Sequence, residues 1–388
     1  LSQTGMDHTA VMLATCVSAA IGCFLTAFMA NVPFAQAPGM GLNAFMAYTV
    51  VAGYGYSWQV ALLAVFIEGL LFIVLSLTNV REAIFNAIPL TLKKGVSVGI
   101  GLFIAFIGLQ NSGLCVDSAT LVGIISFPEN FHTAGICALL TLIGLFFTAV
   151  FYTRKMKGAI LYGILLTWIL GMLCQVTGLY VPTPDAGFYS LFPSWGMTDF
   201  SKLGLTFGQC FNVDFSAVGI VNFIVVIFSF LFVDIFDTLG TLIGVATKAK
   251  MLDKDGKLPG IKPALLADSI ATSAGAILGT STTTTFVESA SGVAVGGRTG
   301  LTALVTGILF LVSTLFAPIF TAIPSFATAP ALIMVGFLMV GTVTEINFDL
   351  DNLTESIPAY LAIIAMPLFY SISEGISLGV ISYVLLNV

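Results

Sequence analysis

Long apolar runs separated by short polar segments dominate this chain. Most of the runs approach the roughly 20 residues that an α-helix needs to cross a bilayer. They predict about thirteen spans, at residues 9–30, 39–52, 58–78, 95–112, 133–152, 158–178, 216–246, 263–278, 279–300, 301–317, 328–343, 356–370 and 376–386. The predicted fold class is therefore an all-α polytopic membrane protein.

One of these runs differs from the rest. Residues 279–300, GTSTTTTFVESASGVAVGGRTG, are rich in Thr and Ser and carry one acid, Glu288. Residues 280–287 favour an extended strand, and residues 288–295 favour a short helix that stops at two glycines. Non-helical backbone at membrane depth persists only where it is buried in protein or lines a cavity. A broken helix with an intramembrane acid therefore indicates a substrate site.

A second segment follows the same plan near the start of the chain. Residues 31–45, NVPFAQAPGMGLNAF, combine an extended run, a Gly/Pro break and a short helix that bears Asn43. Interrupted hydrophobic segments at corresponding places in two halves indicate an internal repeat and mark the binding site of a transporter. The two segments are therefore predicted to contribute to the substrate site.

Composition narrows the functional classes. The chain is 58% hydrophobic and 8% charged, with a mean hydropathy of +1.06, whereas soluble domains carry about 25% charged residues. A net charge of −6 without a basic run argues against a nucleic-acid partner. The six cysteines lack metal spacing and the two histidines fall in predicted loops, so we expect neither a metal site nor a cofactor. Cys115 and Cys210, both in predicted loops, are left open as a disulfide pair.

The charges of the predicted loops indicate the orientation. Basic clusters around residues 81–94, 154–157 and 248–262 alternate with acidic loops at 114–132 and 179–215. Under the positive-inside rule, this alternation places the start of the chain outside and its end inside the cell. We therefore expect one further helix before Leu1, about fourteen spans in all, and a location in the cytoplasmic membrane.

Two acids lie deep in the predicted span 216–246. Asp234 and Asp237 are three residues apart, which places both on one helix face. Two ionised carboxylates this close in a low dielectric repel each other, so at least one should hold a proton near neutral pH. In a proton-coupled carrier, one acid would contact the substrate and the other would exchange the proton. The alternative is a structural pair that caps hydroxyls such as Thr238.

The two broken segments supply the other candidate ligands. Glu288 can accept hydrogen bonds from a substrate, or it can bond only to the facing segment. Asn43 offers an amide donor and acceptor side by side for the edge of a planar heterocycle, although such an Asn also joins helices. Phe45 and Phe286 flank the two breaks and can stack on an aromatic ring or pack in the core. Glu68 has no assigned role at this stage.

Four stretches carry a family resemblance. NVPFAQAPGMGLNAFMAYTVV, VDIFDTLGTLIGVATKAKMLDKDG, TTTTFVESASGVAVGGRTGLTA and ATAPALIMVG resemble, in order, the azaguanine-resistance branch of the nucleobase–cation symporters. The resemblance implies seven-plus-seven inverted repeats, with a core domain at 1–79 and 214–325 and a gate domain at 80–213 and 326–388. It implies that Gly41, Asn43, Asp234 and Glu288 bind the substrate and that Asp237 takes part in proton coupling. The family has one helix before the position equivalent to Leu1.

We therefore predict a carrier, not an enzyme, that imports a purine base (hypoxanthine, guanine or adenine) with a proton by an elevator-like movement. Sodium remains an alternative coupling ion, and both a monomer and a homodimer in the lipid remain open. An anion carrier on a related fold is a second reading, although it calls for a cationic site. An intramembrane aspartyl protease is a third, but its dyad needs acids from two facing helices.

Overall fold

The computed structural model describes residues 1, 4–39, 42–43, 45–119, 121–184, 187–193, 196–214, 218–320, 322–346, 348 and 353–387. The chain is mostly helical. Its α-helices are α1 His8–Leu25, α2 Trp58–Leu77, α3 Val80–Ala87, α4 Leu90–Asn111, α5 Phe127–Asn130, α6 Ile136–Thr153, α7 Ala159–Val176, α8 Ile220–Lys248, α9 Ile261–Leu278, α10 Ser289–Ala294, α11 Gly300–Leu315, α12 Ala317–Phe320, α13 Ser325–Val340, α14 Leu353–Phe369 and α15 Ile372–Asn387. The strands are β1 Gln36–Pro38, β2 Cys115–Ser118, β3 Leu121–Ile124 and β4 Thr283–Thr285.

Within this described part of the chain, eight helical segments are long and apolar enough to cross a membrane. They are His8–Ala30, Trp58–Leu77, Leu90–Asn111, Phe127–Thr153, Ala159–Val176, Ile220–Lys248, Ile261–Leu278 and Ser325–Glu345. Shorter apolar helices cover Gly300–Leu315, Leu353–Phe369 and Glu374–Asn387. The prediction of an all-α polytopic membrane protein is confirmed. Within the predicted span 39–52, the structure describes a π-helical segment at Phe45–Gly53, which comes after β1 in the chain.

Local side-chain chemistry determines where several helices begin and end. Asp7 caps α1 by accepting a 2.9 Å hydrogen bond from the Ala10 N–H, and this bond holds the pKa of Asp7 below its ordinary value. Ser57 caps α2 in the same way through the Val60 N–H. α9 ends at Gly279, whose φ of 101° lies in the left-handed region that favours glycine. The chain can therefore leave the helix there and run as an extended segment.

The chain divides into two compact units. Unit 1 comprises Leu1–Gly99, Thr198–Ala317 and Thr342–Val388. Within it, α1 packs against α9 and α11, α2 packs against α9 and α8, and α14 packs against α15. At Gly69, an added Cβ would lie 2.9 Å from the backbone nitrogen of Ser273. A side chain at position 69 would therefore separate α2 from α9.

Unit 2 comprises Ile100–Met197 and Pro318–Gly341. In it, α6, α7 and α13 pack on one another, and β2 and β3 form a short antiparallel hairpin. Gly144 of α6 lies against the hydroxyl of Thr167, and Gly163 of α7 lies against the hydroxyl of Thr148. This reciprocal contact follows the general use of small residues between membrane helices.

Two basic residues counted in the loop-charge pattern lie on helices and are buried. Arg81 and Lys93 are fully buried inside unit 1. Lys93 Nζ donates a 2.7 Å hydrogen bond to the Gly256 carbonyl and lies 4.4 Å from the centre of the Phe85 ring. These two side chains therefore stabilise the interior of the unit. All six cysteines are free, so Cys115 and Cys210 are not paired.

Candidate substrate site

The two broken segments meet as a pair of short strands in the interior of unit 1. β1 and β4 are antiparallel, with Gln36 opposite Thr285 and Pro38 opposite Thr283. The Gly39 N–H donates to the Thr282 carbonyl at 3.2 Å, and the Phe286 N–H donates to the Ala35 carbonyl at 2.9 Å. Backbone at membrane depth that has left the helix thus satisfies its hydrogen bonds with the other broken segment, as burial in an apolar medium requires.

Successive Thr side chains of β4 point to opposite sides, as strand geometry dictates. Thr283 is hydrogen-bonded to Ser18 of α1 at 2.6 Å. Thr284 is hydrogen-bonded to Thr238 of α8 at 2.5 Å. The strand pair is therefore held between α1 on one side and the acid-bearing helix α8 on the other.

Asp234 lies fully buried on α8, close to the strand pair. Its Oδ1 accepts a 2.9 Å hydrogen bond from Thr238, which also bonds to Thr284. Its Oδ2 is enclosed and has no hydrogen-bond partner among the residues that the structure describes. Asp234 therefore has one oxygen held by a protein hydrogen bond and one oxygen without a partner in the described part of the chain.

Asp237 lies one helical turn further along α8 and faces the end of β1. Its Oδ2 is 3.6 Å from the position that a Cβ on Gly39 would occupy. Unlike Asp234, the Asp237 side chain is only partly buried. The 3.6 Å distance to Asp237 is an ordinary contact, whereas the same Cβ would lie only 3.0 Å from the Thr284 Cγ2, so the glycine allows the first broken segment to approach β4.

Glu288 lies directly before the short helix α10, at the end of the second broken segment. Its Oε2 is enclosed and has no partner within the described ranges. The predicted strand followed by a short helix is confirmed in type, with the strand at Thr283–Thr285 and the helix at Ser289–Ala294. The helix is only six residues long, and Glu288 immediately precedes it.

Asn43 joins the first broken segment to the second. Its Oδ1 accepts a short hydrogen bond from the Ser281 hydroxyl, and its Nδ2 lies 3.5 Å from the Pro38 carbonyl. The amide oxygen is thus engaged inside the protein, whereas the amide nitrogen makes only one long contact. Asn43 is oriented by the protein and retains donor capacity for a ligand.

The three remaining predicted ligands differ in their surroundings. The ring of Phe45 packs edge-to-face on Phe230, with the ring centres 4.9 Å apart, and belongs to the apolar core of unit 1. Phe286 is partly exposed beside Glu288. Gly41 lies outside the described residues. Stacking of either Phe on a substrate, and a role for Gly41, stay predictions.

A buried ion pair lies next to β4, and the sequence did not predict it. Arg81 Nη2 lies 3.0 Å from Asp268 Oδ2, and both side chains are fully buried. Arg81 Nη1 also donates to the Ser269 hydroxyl at 3.0 Å. Asp268 Oδ1 accepts the Thr285 N–H at 3.1 Å. The pair therefore fixes the far end of β4. Arg81 follows one predicted span and Asp268 lies inside another, and the hydrophobic pattern of neither span indicates that the two side chains pair.

Comparison with known proteins identifies the family. A family model labelled Xan_ur_permease and described as the permease family matches residues 2–377. The chain belongs to this permease family. It is accordingly a multi-pass membrane transporter and not an enzyme.

Named members of the permease family are similar over almost the whole chain. The guanine/hypoxanthine permease PbuG of Bacillus subtilis (strain 168) is 47% identical over 379 residues, which cover 97% of this chain and 81% of PbuG. The adenine permease AdeQ of Escherichia coli (strain K12) is 40% identical over 391 residues, which cover 100% of this chain and 82% of AdeQ. The family thus includes permeases named for purine bases.

A solved structure shows the same fold. The transmembrane domain of the cyanobacterial bicarbonate transporter BicA superposes with a TM-score of 0.52 at 15% identity, over 99% of this chain and 91% of that one. The expected seven-plus-seven inverted-repeat fold is therefore confirmed. At this identity the likeness concerns the fold alone.

Proposed function

We propose that this permease imports a purine base, guanine, hypoxanthine or adenine, together with a proton. The observation that supports this most is the presence of enclosed carboxyl oxygens without partners, Asp234 Oδ2 and Glu288 Oε2, beside the β1–β4 pair. Buried polar groups are normally hydrogen-bonded, so such oxygens are suited to a ligand that brings its own N–H donors. A purine ring carries several N–H groups along its edge.

The chemistry of the site determines which residue should contribute most. Asp234 and Glu288 would accept ring N–H groups, and the Nδ2 of Asn43 would donate to a carbonyl or a ring nitrogen. Hydrogen bonds to ionised groups are roughly twice as strong as neutral ones. Loss of either acid should therefore weaken binding more than loss of Asn43. Phe45, Phe286 and Gly41 would line the ring faces.

Proton coupling and movement form the second part of the proposal. Asp237, one helical turn from Asp234 and next to Gly39, would exchange the proton. Core segments 1–79 and 214–325 would carry the purine past gate segments 80–213 and 326–388 in an elevator-like movement. Sodium remains the alternative ion, and a homodimer in the membrane remains open.

An anion carrier, the second reading, is less consistent with the site. Carriage of an anion such as bicarbonate calls for a cation that faces the ligand. The buried guanidinium of Arg81 is already paired with Asp268, Ser269 and the Leu265 carbonyl. Asp234, Asp237 and Glu288 bring negative charge, which would repel an anion. The acids therefore favour a neutral purine over an anion.

Uptake into liposomes that contain the purified protein tests the proposal. Radiolabelled hypoxanthine, guanine and adenine are supplied with an inward proton gradient, an inward sodium gradient or neither, and unlabelled bases or bicarbonate serve as competitors. We expect the proton gradient to drive accumulation of at least one purine, and unlabelled purine but not bicarbonate to compete. Accumulation driven by sodium alone would contradict proton coupling, and absence of purine uptake would contradict the substrate assignment.

A further inference from the structure

Glu68 is a buried acid that the proposed function does not use. It lies in the middle of α2, a span with a mean hydropathy of 2.7, and its side chain is fully buried. The neighbouring residue, Gly69, allows the backbone of α9 to approach closely. Glu68 therefore faces the interior of unit 1, out of reach of lipid headgroups and of bulk water.

The contacts of Glu68 link it to the strand pair. Its Oε2 accepts a 3.0 Å hydrogen bond from the Thr282 hydroxyl. Its Oε1 is enclosed and has no partner among residues with a described position. The Thr282 carbonyl accepts the Gly39 N–H, and the adjacent Ser281 donates to Asn43. Two consecutive hydroxyl residues thus connect Glu68 on one side and Asn43 on the other.

The charges around Glu68 do not balance if every acid is ionised. Two acids and one base interact electrostatically with Glu68. They are Asp234 of α8, Asp268 of α9 and Arg81 of α3. Asp237 lies one turn further along α8. The turn Gln209–Phe211 brings only the Cys210 thiol, and the π-helical segment Phe45–Gly53 brings no charged side chain. Arg81, the single cation of this group, already pairs with Asp268.

A buried carboxylate without a cationic partner costs several kcal/mol, and such a group takes up a proton instead. If Asp234 is ionised so that it can bind a purine N–H strongly, a second charge on Glu68 would repel it across a medium of low dielectric. A protonated Glu68 removes that repulsion. Protonation of Glu68 and purine binding at Asp234 should therefore favour each other, and such coupling is reciprocal.

We propose that Glu68 is a second proton-binding residue of this permease, distinct from Asp237, and that its protonation raises the affinity of the adjacent site for the purine. The inference rests on the proposed function. The carrier would then take up one proton at Glu68 and one at Asp237 for each purine, and it would release both when the purine leaves.

The variant Glu68→Gln tests this role, because Gln keeps the oxygen that accepts from Thr282 and imitates the protonated acid. Glu129→Gln, at an exposed position of α5, serves as the matched control. We expect purine affinity in the wild type and the control to fall as the pH rises, and affinity in Glu68→Gln to fall at least about tenfold less over the same range, because only Asp237 then exchanges a proton coupled to binding. A Glu68→Gln variant that follows the wild-type pH profile would overturn the proposal, as would one that binds no purine at any pH.

Accumulation gives a second readout. Each coupled proton contributes one factor of ten for each unit of pH gradient, since tenfold corresponds to about 1.4 kcal/mol. At a gradient of one unit, Glu68→Gln should lower the steady-state purine accumulation about tenfold while purine exchange at equal pH stays within about twofold of the wild type. Unchanged accumulation would contradict a second coupled proton.

Infrared spectroscopy of the purified protein separates this proposal from the proposed function. At neutral pH, the wild type should show the carbonyl stretch of a protonated carboxyl group in an apolar site, reduced in Glu68→Gln and unchanged in Glu129→Gln. If the wild type transported no purine, the proposed function would fail, and this band would still report on the proton of Glu68. An identical band in the wild type and in Glu68→Gln would overturn the inference.

Discussion

Buried hydroxyl groups occur in both compact units, and they are satisfied in different ways. In unit 2, Thr141, Thr148 and Thr167 are fully buried. Each donates to the backbone carbonyl four residues earlier on its own helix, at 3.0, 2.7 and 2.7 Å respectively. Thr148 and Thr167 also lie against glycines of the neighbouring helix. Thr141 also lies 2.9 Å from the Phe326 carbonyl of α13. All of these hydrogen bonds are with backbone carbonyls, so these hydroxyls serve packing.

In unit 1, the buried hydroxyls around the β1–β4 pair bond to acids and to one another, whereas others, such as that of Thr247, bond to a carbonyl of their own helix. Thr238 bonds to Asp234 and Thr284, and Thr282 bonds to Glu68. These bonds use one oxygen of each acid and leave the other without a partner in the described part of the chain. The comparison shows that the polarity of a membrane interior is a weak sign of function by itself. The stronger sign is polar atoms that the fold holds in place but does not satisfy.

The largest effect on stability should come from the ion pair behind β4. Arg81→Leu leaves Asp268 as an uncompensated buried charge, which should lower the free energy of unfolding in detergent by about 3–5 kcal/mol. Arg154→Leu, at an exposed position, should change it by less than about 0.5 kcal/mol. Arg81→Leu combined with Asp268→Leu should recover part of the loss, although the Thr285 N–H then lacks its acceptor. Equal stability of the two single variants would show that the pair is not needed.

Replacing one buried Thr by Val in each unit should have a smaller effect, and that effect should differ between the units in its influence on purine affinity. Thr284→Val removes a hydroxyl that orients the Thr238–Asp234 group, whereas Thr148→Val removes one that bonds only to its own helix. A lost hydrogen bond of about 1.4 kcal/mol corresponds to tenfold. Thr284→Val should therefore lower purine affinity about tenfold, and Thr148→Val should leave it within about twofold. Similar losses of purine affinity in both variants would contradict the claim that the hydroxyls of unit 1 serve the substrate site and those of unit 2 serve packing.

The sequence alone predicts the spans and the polar segments that interrupt them. Hydrophobic run length determines the spans, and a Thr-rich segment with Glu288 cannot be an ordinary lipid-facing helix. The same reasoning, together with the family resemblance, selected Asp234, Asp237 and Asn43. The structure places Asp234 and Asn43 in one hydrogen-bonded neighbourhood around the strand pair, and Asp237 beside Gly39 at the end of β1.

The strand pairing, the burial of Arg81 and the hydrogen bond of Glu68 could not be predicted, because they depend on contacts between distant parts of the chain. The pairing of Gln36 with Thr285 joins segments far apart in sequence, and a three-residue strand carries no periodic signal of its own. Arg81 follows an apolar run, as loop charges at a membrane surface do, and only the packing of α3 shows that it is buried. Glu68 was recognisable as an intramembrane acid, but its partner Thr282 lies on another segment.

The most direct test of the central claim is a binding measurement on Glu288→Gln. Equilibrium binding of labelled guanine and hypoxanthine is measured for the wild type, for Glu288→Gln and for the control Glu129→Gln, with the amount of each protein in the membrane determined in parallel. A hydrogen bond to a charged group contributes about 1.5–3 kcal/mol. We therefore predict that Glu288→Gln reaches the membrane normally, binds purine at least about tenfold more weakly and abolishes uptake. Wild-type binding and uptake by this variant would contradict a purine site between the two broken segments.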